Sequence, residues 1–462
     1  MYIFETALAS RSLLCALYNL CSSNNILPHP SSLLEYTIPP PAFDFYTMSA
    51  NIELPTQNQS HDVADKLQSL ASLLSDTATS IRAGSLSLES NTPERLKIIS
   101  AAKDAVDLIK AASDDIVDWI PFLAQFAAIR LFVKWKVFQN MPTGEEARIS
   151  YGDLAGKVGA DVALIARFAA PLVAAKFLRQ PAPGHVAHTP RSQVYTTDSP
   201  ISAMMQMFFD ETLPALCAMP AYFDQFGLRE PTGRLDTISA FAFGQLGRSV
   251  WDILSDHPDR LRNMILAMAA MEQRFPSLGS YDLSWVVTTA RDSGRALLVD
   301  VGGGKGQAVK AILQATPGLP AHRCVVEDLP EVVEAAKSSV SPEMADVRFV
   351  GMDFHAEQPV KGAMTYYIRR CLHDYGDEEC VGMLQRISDA MAADSKLLIV
   401  EQVLSNPPSA FATAADIAML LIGGKERTIS GFKDITGRAG LKILQVYRNK
   451  GTDAALIECA KA

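Results

Sequence analysis

Residues 296–307 read ALLVDVGGGKGQ, an apolar run interrupted only by Asp300 that gives way to four glycines and a lysine before a helical pattern begins. Glycines at the end of a strand let the backbone turn sharply and approach a ligand where a Cβ would clash. The dinucleotide fingerprint G-x-G-x-x-G would need glycine at position 307, and that residue is Gln307. The pattern present is D-x-G-x-G-x-G, from Asp300 through Gly302 and Gly304 to Gly306. A strand-end carboxylate at Asp300 suits the ammonium of an amino-acid moiety and would repel a pyrophosphate.

Downstream the rhythm is strand–helix alternation. RCVVEDL, DVRFVGMDF, AMTYYIRR and KLLIVEQVL read as strands, with helical stretches such as LPEVVEAAKSS and CVGMLQRISDAMAA between them. Continuous apolar strands alternating with helices predict a parallel, doubly wound sheet covered on both faces. The chain closes with KILQVYR, a polar turn at 449–453 and AALIECA, two strands joined so tightly that they must be antiparallel. Two more strand ends carry acids. Glu327-Asp328 precedes Leu329-Pro330, where a carboxylate accepts both hydroxyls of a ribose. Asp353-Phe354 follows Gly351-Met352, where a carboxylate and an aromatic ring bracket a purine.

Leu372-His373-Asp374-Tyr375 lies at the carboxyl end of AMTYYIRR, where open α/β sheets hold their ligands. Imidazole, with an ordinary pKa of about 6.5, suits proton abstraction near neutral pH, and a phenol near 10 needs such a base. Two carboxylates could orient it: Glu401 at the end of LLIVE, and Glu426 in GGKERT. A Glu on an apolar strand needs a partner to offset its desolvation, and fixing an imidazole tautomer is such a role. For Glu426 the alternative is pairing with Lys425, Arg427 or Arg370.

Upstream the chain is helical. Leu67, Leu70, Leu73 and Leu74, then Ile98, Ala101, Ala105, Leu108 and Ile109, repeat at three- and four-residue spacing. Such stripes bury against a second subunit or within the same chain. Residues 117–200 show an apolar helix from Ile120 to Phe138, two further helices, and a strand pair around His185 to Tyr195. That is a winged-helix outline. Its recognition-helix counterpart, Val162 to Ala175, is nearly all apolar, whereas a helix that reads bases needs outward polar side chains. The Met- and Phe-rich stretch from Met204 to Phe209 suits either an adaptable pocket or an ordinary core. Residues 1–47, with a proline- and serine-rich stretch from Pro28 to Pro41, read as an extension or a mis-set start, and Met48 begins a segment like an ordinary N-terminus.

The 462 residues suffice for two or three domains, and a formal charge of −9 opposes binding to nucleic acid and anionic membranes. Seven cysteines without a C-x-x-C pair speak against a disulfide framework or a zinc site, and for a reducing cytoplasm. No uncharged apolar run reaches about 18 residues, so no membrane-spanning helix is expected.

Together these residues resemble the plant and fungal O-methyltransferase family, which uses S-adenosylmethionine (SAM) to modify phenols and polyketides. The likeness runs from about residue 60 to the C-terminus on VDVGGGKG, the EDLP acid, GMDF, RRCLHDYGDEE and GGKERT. It implies an α/β fold whose C-terminal domain is a Rossmann-like class I SAM methyltransferase sheet ending in an antiparallel hairpin. An all-α, winged-helix domain for homodimerisation and substrate lining would precede it. The expected boundaries are 1–60 for the extension, 61–285 for the helical domain and 286–462 for the catalytic domain. By the same resemblance His373 is the base, flanked by Glu401 and Glu426. SAM would lie against Asp300, Gly302, Gly304 and Gly306, with Asp328 at its ribose, Asp353 and Phe354 at its adenine, and Arg369 as the cation before the LHD box. No metal is expected. Two departures matter: the family's HDW reads His373-Asp374-Tyr375, and its methionine-rich wall reads 416–422, DIAMLLI, where small Ala418 leaves the acceptor shape open. Other readings are a pericyclase offshoot of this fold, working on pyridone precursors without net methyl transfer, and a SAM-binding regulator.

Overall fold

The computed structural model describes residues 57–87, 93–111, 113–231, 233–271, 275–289, 294–338, 340–449 and 452–462. The segment read as an extension, 1–47, lies outside them, as do Lys450 and Gly451 of the last turn. The described residues fall into two compact units that part between Ala128 and Ile129.

The first unit contains helices α1 (Gln57–Arg82) and α2 (Pro93–Ile109) and most of α3 (Asp114–Lys134). The leucine stripe of α1 is only partly covered, with Leu67 and Leu74 exposed. Helix α3 starts earlier and ends sooner than the apolar pattern from Ile120 to Phe138 predicts. Asp114 and Asp115 occupy its first turn, where carboxylates are favoured by the helix dipole. By length and composition α3 is apolar enough to cross a membrane. Its few charges keep any uncharged run short while the helix stays apolar on average.

In the second unit, Ser150 caps α4 (Tyr151–Val158) by accepting from the Asp153 N–H, and left-handed Gly159 ends it. Asp161 then caps α5 (Val162–Ala174), which buries Ile165, Ala169 and Leu172. A small antiparallel sheet of β1 (Ile149–Ser150), β2 (Leu178–Arg179) and β3 (His185–His188) has the order β1-β3-β2. The strand pair expected around His185 to Tyr195 is therefore different: only 185–188 are extended, and their partners come from earlier in the chain. Pro190 starts a helical turn instead, with Thr189 and Ser192 forming a capping box.

The large sheet has the order β10-β11-β8-β7-β4-β5-β6, with β9 (Arg427–Thr428) beside β8. Its parallel part runs through β4 (Leu298–Val301), β5 (Cys324–Asp328), β6 (Arg348–Gly351), β7 (Thr365–Arg369) and β8 (Lys396–Leu404). Strands β10 (Leu441–Arg448) and β11 (Ala454–Lys461) form the closing antiparallel hairpin, with β11 antiparallel to β8. This confirms the expected sheet. Successive strand residues face opposite sides, so Tyr366 and Tyr367 are each fully buried in a different apolar layer. Both phenols find carbonyl partners, Val360 O and Ser277 O, each at 2.7 Å. After β4 the chain goes to β5, and it later returns to β7 on the other side of β4. The crevice between β4 and β7 is thus the topological switch point, where α/β sheets place ligands.

Candidate active site

The glycine loop leaves β4 with Gly302, Gly304 and Gly306 all at positive φ, 72°, 56° and 81°. A Cβ at Gly302 would stand 2.8 Å from the Cys371 sulfur and 3.3 Å from the Phe354 ring, so the loop passes tightly under the ends of β6 and β7. Gly303, absent from the candidate residues, is as constrained: its Cβ would meet Asp300 Oδ2 at 2.5 Å and Val326 Cγ1 at 3.0 Å. Asp300 is buried, and its Oδ2 is enclosed without a hydrogen-bond partner. Burial raises its carboxyl to about 7, against the pull of the Arg369 charge and with the push of Asp328 and Glu327.

Strand alternation separates the two acids at the end of β5. Asp328 turns to the loop: its Oδ2 accepts the Gly304 N–H at 2.7 Å and its Oδ1 its neighbour's, from Leu329, at 2.8 Å. Glu327 points the other way, fully buried, and accepts from Gln358 Nε2 at 2.6 Å. At the end of β6, Asp353 Oδ1 accepts the His355 N–H at 2.8 Å, while Phe354 packs edge-on to Tyr375 with centroids 5.8 Å apart. Arg369 donates to Phe275 O at 2.7 Å, and its charge bears on Asp300. The eight residues proposed for the cofactor thus lie in or just after the carboxyl-terminal parts of β4, β5, β6 and β7.

The second cluster follows β7. His373 Nδ1 lies 2.9 Å from Glu426 Oε1 and 3.9 Å from Glu401 Oε2. The structure thus brings the three catalytic candidates together, and Glu426 pairs with the imidazole in place of Lys425, Arg427 or Arg370. Glu401 does a second job: its Oε1 accepts the N–H groups of Cys371 and Leu372, both at 2.9 Å, and so anchors the turn that carries His373. The remaining oxygens, Glu401 Oε2 and Glu426 Oε2, are enclosed without hydrogen bonds. Burial pushes the His373 pKa down, but the charges of Glu401 and Asp374 and the hydrogen bond that His373 donates to Glu426 outweigh it and raise the imidazole to about 10. Burial raises Glu401 and Asp374, and His373 opposes it in both.

Sequence reasoning missed three members. Asp374 stands 3.6 Å from His373 Nε2. Asp416 Oδ1 accepts the Glu426 N–H at 2.8 Å. Arg427, buried, makes an ion pair with Asp377 at 2.8 Å. Each sits within a motif that the sequence displays, but the signal lies in the pairing of distant loops, which spacing does not display. Gly424 marks one such meeting: a Cβ there would run into the backbone carbonyl of His373, and the Lys425 N–H donates to that carbonyl at 2.9 Å. Chemically, an imidazole anchored by carboxylates is a group that can take and hold a proton.

The O-methyltransferase domain family matches residues 247–442. Methyltransferase cfoD of Aspergillus candidus is 36% identical over 377 residues, covering 80% of this chain and 92% of that protein. Among solved structures, OxaC in complex with SAH and oxaline has a TM-score of 0.76 at 21% identity, covering 87% of this chain and all of that one. A structure described as a pericyclic reaction enzyme has a TM-score of 0.69 at 22% identity, over 84% of this chain and all of that one. These two likenesses show a shared fold.

Proposed function

The chain belongs to the O-methyltransferase family, and from that premise we propose that it transfers the methyl group of SAM to a hydroxyl of an aromatic or polyketide-type secondary metabolite. The crevice fits the cofactor through its own residues. The enclosed, unpartnered Asp300 Oδ2 is an acceptor for an ammonium. Asp328 carries a carboxylate to the loop for ribose hydroxyls, and the loop is packed so closely that a Cβ at Gly302 would meet Cys371 Sγ and the Phe354 ring. Asp353, Phe354 and Arg369 complete the set of residues that would hold it. When bound, SAM supplies a methyl group made electrophilic by its sulfonium.

The observation that carries the reading is the 2.9 Å contact between His373 Nδ1 and Glu426 Oε1. With the Nδ1 proton committed to Glu426, Nε2 is left as the base that takes the proton of the acceptor hydroxyl. Glu401 holds the turn in place and, with Glu426, stabilises the imidazolium that results. The test is a reaction of purified protein with SAM and an extract of the producing cell, read by mass spectrometry. A product heavier by one methylene, formed together with S-adenosylhomocysteine and lost in His373→Ala, supports the reading. A His373→Ala protein of full activity removes the base assignment.

The fold shared with a pericyclic enzyme supports a second reading: dehydration, Alder-ene or hetero-Diels–Alder chemistry on a pyridone-type precursor. The intact His373, Glu401 and Glu426 favour methyl transfer. A product of unchanged mass, formed without S-adenosylhomocysteine, decides for the alternative.

We further propose a homodimer joined through α3, whose Val117, Trp119 and Phe122 are each at least 60% exposed in the single chain. Apolar patches of that kind mark protein interfaces. A cytoplasmic setting is supported by the free thiols of Cys324, Cys371, Cys380 and Cys459. Nucleic acid is excluded as a partner in this reading by the net charge and by the apolar α5.

A further inference from the structure

The catalytic pair comes from two loops, and one buried side chain touches both. Arg427 Nη1 donates to Leu372 O at 3.0 Å and to Lys425 O at 3.2 Å. Leu372 directly precedes His373, and Lys425 directly precedes Glu426. Nη2 of the same guanidinium donates to Tyr375 O at 2.8 Å, so both ends of the His373 turn are gripped. Nε donates to Asp377 Oδ1 at 2.8 Å, and Asp377 also takes Lys425 Nζ at 3.4 Å. Arg427 itself is 3% exposed. A planar fork of donors fixes several acceptors in one geometry, which an ammonium on a flexible stem does not.

We propose that Arg427 is a positioning residue for the methyl-transfer base: it sets the distance between His373 Nδ1 and Glu426 Oε1 by holding the backbone carbonyl in front of each. The inference rests on the reading of His373 as the base, but its geometric part does not depend on any reaction. Asp377 is the counterion that keeps the guanidinium oriented, and it sits in the first turn of the helix Asp377–Ala390. A purely structural buried arginine would affect folding and leave the paired imidazole unchanged in whatever folded fraction remains. A positioning arginine would loosen the pair in a protein that is otherwise folded.

The test uses the full chain and two readouts. The first is the downfield proton NMR signal of the His373 Nδ1–H, assigned by its absence in His373→Gln. The second is the rate of S-adenosylhomocysteine formation. Arg427→Lys, which keeps the charge and loses the fork, is expected to abolish or shift the signal and to lower kcat about 10- to 100-fold. The Kd for S-adenosylhomocysteine should change less than about threefold. A folded Arg427→Lys protein with an unchanged signal overturns the proposal. If Arg427→Lys does not fold, Asp377→Asn decides: a shifted signal and a kcat lower by about 3- to 10-fold are expected, and an unmoved signal is again fatal. Loss of methyl transfer in the wild-type chain would overturn the functional reading alone, since the NMR signal reports the brace without turnover.

Discussion

Replacing Glu426 by Gln tests whether the acids around His373 set its basicity. The imidazole must be neutral to accept a proton, and three carboxylates hold it at about 10. At about pH 7.5 only about one molecule in three hundred would then carry the neutral base. The rate should therefore rise with pH across the neutral range, with its acid limb well above that of an ordinary histidine. Glu426→Gln removes one charge at 2.9 Å and keeps a carbonyl that accepts from Nδ1. An opposite charge at that range is worth about 1–3 pH units, so the limb should move down by that amount. The same change also weakens stabilisation of the imidazolium, and the alkaline plateau should fall by about 10²- to 10⁴-fold. These effects oppose one another at neutral pH, where the variant holds more neutral base, and act undiluted near pH 10. The deficit of Glu426→Gln relative to wild type must then be larger at pH 9.5 than at pH 7. Initial rates of S-adenosylhomocysteine release at saturating SAM, from pH 6 to 10, measure it. A deficit that is uniform across pH, with the limb unmoved, would refute the electrostatic account and leave Glu426 only a steric role.

Gly302→Ala places a Cβ on a residue at φ 72° and against Cys371 Sγ; the Kd for S-adenosylhomocysteine by calorimetry should rise at least about tenfold, an energy of about 1.4 kcal/mol, with unchanged circular dichroism. Glu327→Gln addresses pH and stability: burial raises this folded carboxyl to about 7, so its ionisation costs stability as pH climbs from its unfolded value of about 4.5 through 7. The variant's Tm relative to wild type should increase between pH 5 and pH 8, reflecting at most about 3 kcal/mol, and a pH-independent difference would contradict the assignment. Trp119→Glu should shift the protein from dimer to monomer in sedimentation velocity while its folded circular dichroism persists; a monomeric wild type would dispose of the α3 interface.

The parts of this protein that are legible in its sequence are those whose causes are local. A glycine at positive φ, an acid at a strand end and a period of two each act within a few residues, so VDVGGGKG, EDLP and the closing hairpin point to the sheet and the crevice. The approach of Glu401 to His373 is also within reach, because a Glu at the end of an apolar strand requires a partner, whereas for Glu426 the sequence leaves Lys425, Arg427 and Arg370 as rivals. What stays hidden needs two loops at once. Arg427 looks like one more charge in GGKERT, though its fork bridges the carbonyls of Leu372 and Lys425. Asp416 looks like part of an apolar wall, though it accepts the Glu426 N–H. The same limit explains the small sheet: strand 185–188 reads forward into a hairpin, while its partners at 149–150 and 178–179 lie behind it. The proposed cofactor loop is thus shaped mainly by rules that act along the chain, and the proposed base by contacts across it. Substitutions that retune the base without disturbing SAM binding should accordingly be found at Asp416, Asp377 and Arg427, away from the glycine loop.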